Sequence, residues 1–355
     1  MSDTSERRKR MNILKTTSDN RTDGIGFARE ILLHDDILIL THSHPDGDTS
    51  GTGIALCNVL LAAGKNVAVA CTDELPSHIA FLEKYINTDK FFFGKSFEES
   101  FSPGYIVSVD VASPALIGAS LSEYAKNISL ALDHHDINTL PCGLLFDEEF
   151  SSSAGETLYF VILEMEKLLS KKLIDKNTAC ALFAAISSDS GNFKFSNTCG
   201  RTMRAAGELI ELGADNAEIS RRLFDIKSLG TFKAEALCVK NVRFFEDGKI
   251  AFSCIVRSEL CENDIDDTEL DTCVQLLRMI KGVEIAIFAK EKTGEDGKEK
   301  YRLSMRSNEY ADVAEICACF DGGGHKKAAG CTVFGNLSQV MEKVVEKSAL
   351  VLQNN

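Results

Sequence analysis

The chain has 355 residues, of which 44% are hydrophobic and 26% are charged, and this composition excludes a mostly disordered or collagen-like protein. Its length predicts about two domains, and no apolar run reaches the roughly 18 residues that a membrane-spanning helix needs. The formal net charge of −14 disfavours extended contact with a nucleic-acid backbone, because such contact needs a broad basic face.

The twelve cysteines are scattered singly and form no CxxC pair, which excludes a zinc ribbon. This pattern favours free thiols in a reducing cytoplasm over a secreted disulfide framework. The first 20 residues carry a basic cluster with no apolar segment behind it, so we expect a flexible tail at 1–20 rather than a secretory signal.

The first half of the chain alternates short β-branched runs with helix-length amphipathic segments. This alternation predicts an α/β fold, with a parallel sheet covered by helices on both faces. The predicted strands are 37–41, 66–70, 105–109 and 128–132. The predicted helices are 51–63, 76–85, 114–126, 153–169, 176–187 and 201–212.

The pattern changes after residue 215. A charged helical segment at 216–240 is typical of a connector between domains. Asp247 and Gly248 then lie between two apolar runs and predict a hairpin with a type I′ turn. The remaining predicted elements are strands at 242–245, 249–256, 283–290 and 300–306 and helices at 267–279 and 310–319. We therefore expect a catalytic domain at 21–215 and a smaller α/β domain at 241–355, with the active site in the cleft between them.

Histidine and aspartate residues follow three of the predicted strands and one predicted helix. They are His42, Asp46, Asp48, Asp110, Asp133, His134, His135 and Asp189. The carboxyl ends of parallel strands lie at one edge of a sheet, where ligands bind, so we expect these side chains to converge. Five carboxylates in one cleft repel each other, which predicts bound cations. Carboxylate and imidazole ligands suit Mn²⁺, and two ions about 4 Å apart are the usual device for phosphoryl chemistry.

Each of these motifs taken alone is more often a turn or a helix cap than a catalytic group. Their coincidence at predicted element ends that face one side favours a metal site, because capping alone rarely produces such an arrangement.

A second signature lies near the C-terminus. It comprises Ser304, Arg306, Ser307, Gly322, Gly323, Gly324 and His325. The glycine run precedes lysines and alanines that can begin a helix, which predicts a phosphate cradle of backbone N–H groups at a helix N-terminus. A flexible turn is the alternative for a glycine run of this kind. Arg306 offers a planar donor fork for phosphate or carboxylate, and this context favours the cradle.

Four motifs resemble, in the same order, those of the DHH phosphoesterase superfamily. They are HSHPDGD at 42–48, Val-Asp-Val at 109–111, Asp-His-His at 133–135 and Ser-Ser-Asp-Ser-Gly-Asn-Phe at 187–193. Segments 304–307 and 322–330 resemble the signature of the DHH-associated C-terminal domain. The resemblance spans about residues 25–350, and the group it favours is that of the nanoRNases and 3′-phosphoadenosine-5′-phosphate phosphatases.

The resemblance implies two sets of metal ligands that share one carboxylate. They are His42, Asp46 and Asp110 for one ion and Asp48, Asp110, His134 and Asp189 for the other. It also implies that His135 contacts the scissile phosphate, that Asp133 orients the neighbouring imidazoles, and that the C-terminal signature binds the substrate end opposite the cleaved bond. Residue 44 is His, where relatives commonly have Asn.

The activity implied is metal-dependent hydrolysis of very short oligonucleotides to 5′ mononucleotides, removal of the 3′ phosphate of 3′-phosphoadenosine 5′-phosphate, or both. Mn²⁺ is the ion we expect, with Mg²⁺ and Co²⁺ as alternatives. The expected partners are short oligonucleotides or nucleotides, without long nucleic acid or membrane, and a homodimer is left open. Three alternatives stand beside this reading: a cyclic or linear dinucleotide phosphodiesterase, a manganese-dependent inorganic pyrophosphatase and a non-catalytic nucleotide-binding regulator.

Overall fold

The structure is a computed structural model, and the residues that it describes are 20–97, 100–135, 137–148, 150–293 and 299–353. The predicted tail, apart from Asn20, lies outside these ranges. The chain forms two compact units, Met1–Ile226 and Lys227–Asn355, so the division falls inside the segment predicted as a connector. Among the described helices, none has the length and apolar character that crossing a membrane requires.

The N-terminal unit is built on a six-stranded sheet in which every neighbouring pair is parallel. Its strands are β1 (Ile37–Leu40), β2 (Val67–Cys71), β3 (Phe91–Phe93), β4 (Tyr105–Val109), β5 (Leu130–Asp133) and β6 (Leu144–Asp147). The strand order is β3-β2-β1-β4-β5-β6. The direction of winding therefore reverses between β1 and β4, and in open α/β sheets such a switch point opens a crevice for ligands.

All four predicted strands are present, with ends shifted by at most two residues. Strands β3 and β6 were not predicted. Both are short edge strands with side chains that are mostly only half-buried, so neither has the continuous apolar run that identifies a central parallel strand.

Seven α-helices of this unit lie within the described ranges. They are α1 (Gly24–Leu32), α2 (Gly47–Ala62), α3 (Ser122–Ala125), α4 (Ala154–Leu169), α5 (Lys176–Asp189), α6 (Gly200–Glu211) and α7 (Asn216–Ser220). Helix α2 begins four residues before its predicted start because Asp46 caps it: Asp46 Oδ1 accepts hydrogen bonds from the backbone N–H groups of Asp48 and Thr49. Residues 47–60 of α2 are all buried.

Two predicted helices are wrong. Residues 76–85 contain only a 3₁₀ helix, Ala80–Tyr85. Ile79, Leu82 and Tyr85 are buried at a spacing of three residues, which matches the period of a 3₁₀ turn rather than that of an α-helix. Residues 114–126 form two 3₁₀ turns and the short α3, because Gly118 interrupts them at a φ of 85°.

The C-terminal unit is built on a second six-stranded sheet, in which only β8 and β9 are parallel. Its strands are β7 (Arg243–Phe245), β8 (Ile250–Ile255), β9 (Ile285–Thr293), β10 (Glu299–Ser307), β11 (Gly323–His325) and β12 (Ala328–Phe334), in the order β11-β12-β10-β9-β8-β7. Its helices are α8 (Leu229–Lys240), α9 (Arg257–Asn263), α10 (Cys273–Arg278), α11 (Val313–Ala318) and α12 (Leu337–Gln353).

The predicted hairpin between β7 and β8 is present, and its turn lies within a four-residue loop because Phe245 and Ile250 are the last paired residues. The Lys249 N–H donates to the Glu246 carbonyl at 3.0 Å. The two central residues, Asp247 and Gly248, have φ angles of 52° and 86°, the signs that a type I′ turn requires. The helices predicted at 267–279 and 310–319 are shorter than expected and are represented by α10 and α11.

The glycine run near the C-terminus opens a strand, not a helix. Gly323 and Gly324 lie in β11, which pairs with β12 through a turn at Lys326 and Lys327. A Cβ on Gly324, whose φ is 142°, would lie 2.5 Å from the Ala328 carbonyl oxygen. The prediction of a helix N-terminus at this segment is therefore wrong, because the segment pairs as a strand. The close approach of the two strands explains why a glycine lies there.

We expect Gly51→Ala to destabilise the protein although alanine favours helices. A Cβ at this position of α2 would lie 2.5 Å from the Ala181 carbonyl oxygen and 3.0 Å from the Ala185 Cβ, and overpacking of this kind costs about 1–3 kcal/mol. Gly207→Ala in α6 is the matched control, because nothing lies within 4 Å of its Cβ position, and it should stabilise by about 1 kcal/mol. Urea unfolding of the full chain measures both effects, and equal effects of the two changes would contradict this packing.

Candidate metal centre

The loops after β1, β4 and β5 and the end of α5 bring all six predicted metal ligands together. Together with His135, these residues form three groups, and within each group the ligand atoms lie within 4.8 Å of one another. The groups are His42, Asp46 and Asp110; Asp48, His134 and Asp189; and Asp110, His134 and His135. Strands β1 and β4 flank the switch point of the sheet, so the groups lie where the fold places a ligand crevice.

The first group is arranged around one imidazole nitrogen. His42 Nε2 lies 3.5 Å from Asp110 Oδ2 and 3.8 Å from Asp46 Oδ1. The other ring nitrogen, Nδ1, lies 2.8 Å from the Ser43 carbonyl oxygen and donates to it. In the neutral ring, Nε2 then carries the lone pair and faces the carboxylates, the tautomer that a metal ligand needs.

The second group surrounds His134 Nε2. This atom lies 3.3 Å from Asp189 Oδ2 and 3.6 Å from both Asp48 Oδ2 and Asp110 Oδ1. His134 is mostly buried, and Asp189 is the last residue of α5. Three carboxylates therefore face one imidazole nitrogen.

Asp110 is common to both groups. Its Oδ2 atom faces His42 and its Oδ1 atom faces His134, so the two oxygens of one carboxylate serve different groups. The residue directly follows β4 and has a φ of 57°, a left-handed conformation that is uncommon outside glycine. Its backbone N–H continues the sheet by donating to the Leu132 carbonyl.

Asp48 is held by the start of α4 as well as by its own helix. Its Oδ2 accepts the Ala154 N–H at 2.7 Å, and its Oδ1 accepts the Gly155 N–H at 2.9 Å and the Thr52 hydroxyl at 3.1 Å. Because the N-terminus of a helix carries partial positive charge, α4 stabilises this fully buried carboxylate. The sequence did not predict this support.

The donor atoms fit a divalent cation. Asp110 Oδ1 and His134 Nε2 are both buried and lack a hydrogen-bond partner within the described part of the chain. Their separation of 3.6 Å is too long for a hydrogen bond, and unpaired buried polar atoms are costly. A cation bound between carboxylate and imidazole donors removes that cost, and this ligand set suits Mn²⁺ and similar ions.

The crowding of charges shifts the pKa of most groups in the centre. Burial disfavours the charged form of both His42 and His134, but the adjacent Asp110 outweighs this and raises the pKa of His42 to about 9 and that of His134 to about 12. Burial and repulsion from neighbouring carboxylates raise the pKa of Asp48 well above its usual value. The same causes raise the pKa of Asp46 to about 6, although half of its side chain is exposed and solvent weakens this shift.

His135 is oriented by two residues behind it. Its Nδ1 lies 2.7 Å from Asp133 Oδ1, and this hydrogen bond raises the pKa of His135. Asp133 is fully buried, and its Oδ2 accepts a hydrogen bond from Asn138 Nδ2 at 2.5 Å. Asn138 also donates to the Val111 carbonyl at 3.0 Å, which ties this loop to the end of β4. Nothing in the sequence pointed to Asn138, because single asparagines are common in loops.

His44 lies outside the three groups. Its side chain is 94% exposed and its Nδ1 lies 2.8 Å from Asp73 Oδ2. Its φ of 55° is left-handed, a conformation in which both histidine and asparagine are enriched among residues other than glycine.

The predicted C-terminal residues lie on β10 and the β11–β12 hairpin. In register, Arg306 pairs with Ala328 and Ser304 pairs with Gly330. Residues two apart on a strand share a face, so Ser304 and Arg306 lie on the same face of the sheet. Ser307 points to the opposite face, where it is buried and donates to the Ala311 carbonyl, so its hydroxyl has a structural partner.

Arg306 is half-buried, and its described hydrogen bond goes to the Met305 carbonyl at 2.9 Å. Burial and the nearby Arg278 lower the pKa of Arg306. Gly322, Gly323 and Gly330 line a groove of about 850 Å³. His325 lies in β11, and its side chain lies outside the description.

Two family models match the chain. The DHH family N-terminal domain matches residues 36–186, and the DHHA1 domain matches residues 247–352. The bifunctional oligoribonuclease and PAP phosphatase NrnA of Thermus thermophilus is 28% identical over 320 residues, which cover 87% of this chain and 88% of that protein. The protein of the same name from Bacillus subtilis is 28% identical over 311 residues, or 86% of this chain and 92% of that protein.

A solved structure shows the same fold. The crystal structure of an exopolyphosphatase-related protein from Bacteroides fragilis aligns with a TM-score of 0.80, covering 92% of this chain and 97% of that one, at 19% identity. The two family models match in order along the chain, and the relatives are similar over most of its length. These findings agree on one family. The chain belongs to the DHH superfamily of phosphoesterases, with a DHH-family N-terminal domain and a DHHA1 domain.

Proposed function

We propose that this protein is a metal-dependent phosphoesterase that hydrolyses very short oligonucleotides to 5′ mononucleotides and removes the 3′ phosphate of 3′-phosphoadenosine 5′-phosphate. The observation that carries the proposal is the pair of ligand groups joined by the Asp110 carboxylate. The names of the two relatives, which describe an oligoribonuclease and PAP phosphatase, support the choice of substrates.

Two divalent ions, with Mn²⁺ as the first choice, fit the two groups. His42, Asp46 and Asp110 would hold one ion, and the second group together with Asp110 would hold the other. When bound, such a pair lowers the pKa of a water molecule and neutralises charge on the phosphoryl oxygens. Two backbone groups support these ligands. The Ser43 carbonyl fixes the tautomer of His42, and the Ala154 N–H orients Asp48.

His135 is the group that we assign to the scissile phosphate. Its Nδ1 is taken by Asp133, so the other ring nitrogen is left to donate to a phosphoryl oxygen when the ring is protonated. The raised pKa of His135 favours that protonated form near neutral pH. Asn138 acts behind it by holding Asp133 in place.

We assign Arg306 to a substrate phosphate. Its guanidinium has no carboxylate within 4.0 Å among the described residues, and the nearby Arg278 adds a second positive charge. Bound phosphate would offset both charges, and a guanidinium fork matches phosphate geometry. The overall charge of −14 supports short substrates, because a long nucleic-acid backbone would be repelled.

A cytoplasmic location is part of the proposal. Each of the twelve cysteines, all within the described ranges, is a free thiol, as expected in a reducing compartment.

The proposed function is tested by a substrate panel with Mn²⁺. The panel contains a 5′-phosphorylated ribodinucleotide, 3′-phosphoadenosine 5′-phosphate, a cyclic dinucleotide and inorganic pyrophosphate. We expect product from the first two substrates. Turnover confined to the cyclic dinucleotide or to pyrophosphate would replace the proposal with one of those activities, and nucleotide binding without turnover would favour a regulator.

Asp110→Asn should remove bound metal and turnover together. The substitution keeps the size of the side chain but removes the charge that both ligand groups share, so we expect less than one bound Mn²⁺ per chain and at least about a 10³-fold loss of kcat. Elemental analysis after gel filtration and a rate assay measure the two effects. Asp89→Asn, at an exposed position, is the control that should change neither. Full metal content in Asp110→Asn would contradict the shared role.

Arg306→Ala should weaken substrate binding without loss of metal. Charge-assisted hydrogen bonds are worth about 1.5–3 kcal/mol, so we expect KM for the ribodinucleotide to rise between about 10-fold and 100-fold. Arg243→Ala is the control. Arg243 is exposed on β7, an edge strand three places from β10 in the same sheet, so this change should leave KM unchanged. A loss of Mn²⁺ in Arg306→Ala, with KM unaltered, would show that the assignment is wrong.

Binding of Mn²⁺ should release protons and strengthen as pH rises. The pKa of His42 is raised to about 9, so the charged ring stabilises the metal-free fold fully below pH 6.5, and this contribution is lost as pH rises through about 9. A ligand imidazole must be neutral, so each ion displaces about one proton at pH 7.5, and the apparent affinity of the ion at His42 should rise about tenfold per pH unit up to pH 9. Calorimetry in buffers with different ionisation enthalpies counts the protons. Binding without proton release would contradict the coupling of these imidazoles to the ligand carboxylates.

A further inference from the structure

The loop after Asp189 carries two phenylalanines that differ in their environment. Phe193 is partly buried, and its ring packs against Phe183 with 5.6 Å between the ring centroids, so it belongs to the core. Phe195 is 45% exposed. Phe195 is therefore partly exposed in the loop that follows Asp189, a predicted ligand of the metal centre.

The ring of Phe195 is held against the backbone of this loop. The Phe195 N–H donates to the Ser190 carbonyl at 3.0 Å, directly after Asp189. A Cβ built on Gly191, whose φ is 57°, would lie 2.4 Å from the Phe195 Cζ atom. The ring thus packs closely on a glycine, where there is no room for a side chain.

The backbone of this loop is strained. Gly191, Asn192 and Phe193 all have left-handed φ angles, of 57°, 57° and 64°. Such a conformation is unfavourable for a bulky residue like phenylalanine. It is held in place by Asn192, whose Oδ1 accepts hydrogen bonds from the hydroxyls of Ser187 and Ser220. Strain that surrounding contacts maintain in this way is found at functional sites.

The same loop is tied to two metal ligands through Asn197. Its Nδ2 donates to the Asp189 carbonyl at 3.1 Å and to the Ser152 carbonyl at 3.0 Å. Ser152 lies two residues before Ala154, whose N–H binds Asp48. The position of Phe195 is therefore coupled to the backbone that positions both Asp48 and Asp189.

We propose that Phe195 stacks against the base of the nucleotide whose phosphate lies at the metal centre. The inference rests on the proposed function and adds a contact that recognises the nucleoside rather than the phosphate. A partly exposed aromatic ring that packs on backbone suits any base, because every base has a π face. It predicts a preference for nucleotides over phosphoesters that lack a base, with little discrimination among bases.

The test pairs changes in the protein with changes in the substrate. Phe195→Leu keeps apolar packing on Gly191 and removes the aromatic ring, whereas Phe195→Tyr keeps the ring. Phe244→Leu, 49% exposed on the edge strand β7, is the matched control. The substrates are a 5′-phosphorylated ribodinucleotide and two versions of it that lack either base. KM, kcat and bound Mn²⁺ are measured for each combination.

We expect Phe195→Leu to raise KM for the intact dinucleotide about tenfold, with kcat and Mn²⁺ content unchanged, since stacking acts on binding rather than on the chemical step. For one abasic substrate the same substitution should have no effect, because the base that the ring contacts is already absent. Phe195→Tyr and Phe244→Leu should behave like the unchanged enzyme.

Equal losses on intact and abasic substrates, or no loss on either, would overturn this inference while leaving the proposed function in place. A lower molar mass of Phe195→Leu in light scattering, with unchanged KM, would also overturn it, because the ring would then contact a second copy of the chain. Absence of turnover by the unchanged enzyme on every nucleotide substrate would overturn the proposed function and this inference with it.

Discussion

A single carboxylate connects the two halves of the metal centre. Asp110 lies at the end of β4, where the winding of the sheet reverses, and its two oxygens face His42 on one side and His134 on the other. The carboxylates of Asp46, Asp48, Asp110 and Asp189 would repel one another unless positive charge lay between them. The elements around Asp110 can be understood as a scaffold that keeps these groups close in spite of that repulsion.

Several hydrogen bonds serve this scaffold and the fold at once. Asp46 caps α2 with the same oxygen that faces His42. The first N–H groups of α4 bind Asp48, and the hydrogen bond from Asn138 holds Asp133 behind His135. Ligands that also cap helices or close loops cannot relax away from each other without unfolding local structure. The metal-free protein is thereby kept ready for cations, and the same crowding raises the pKa values of Asp46, Asp48, His42 and His134.

The sequence predicted which acidic and imidazole side chains converge better than it predicted the groups that hold them in place. Asp110 and His134 directly follow buried strands and His42 comes two residues after one, and the parallel arrangement of those strands forces their ends to one edge. Asn138 and the N-terminus of α4 act through contacts between residues distant in sequence, for which periodicity gives no signal.

The errors in the fold have local physical reasons. The glycine run was compatible with both a helix start and a hairpin, and pairing of β11 with β12 decided for the hairpin. The segment at 114–126 has helical composition, yet Gly118 breaks it at a positive φ. Strands β3 and β6 were missed because edge strands of three or four half-exposed residues lack a distinctive pattern.

Anomalous diffraction from crystals grown with excess Mn²⁺ tests whether Asp110 joins two metal sites. We expect two manganese peaks about 4 Å apart, one contacting His42 and the other contacting His134, with the Asp110 carboxylate between them. A single peak that does not contact Asp110, or no peak at either imidazole, would contradict it.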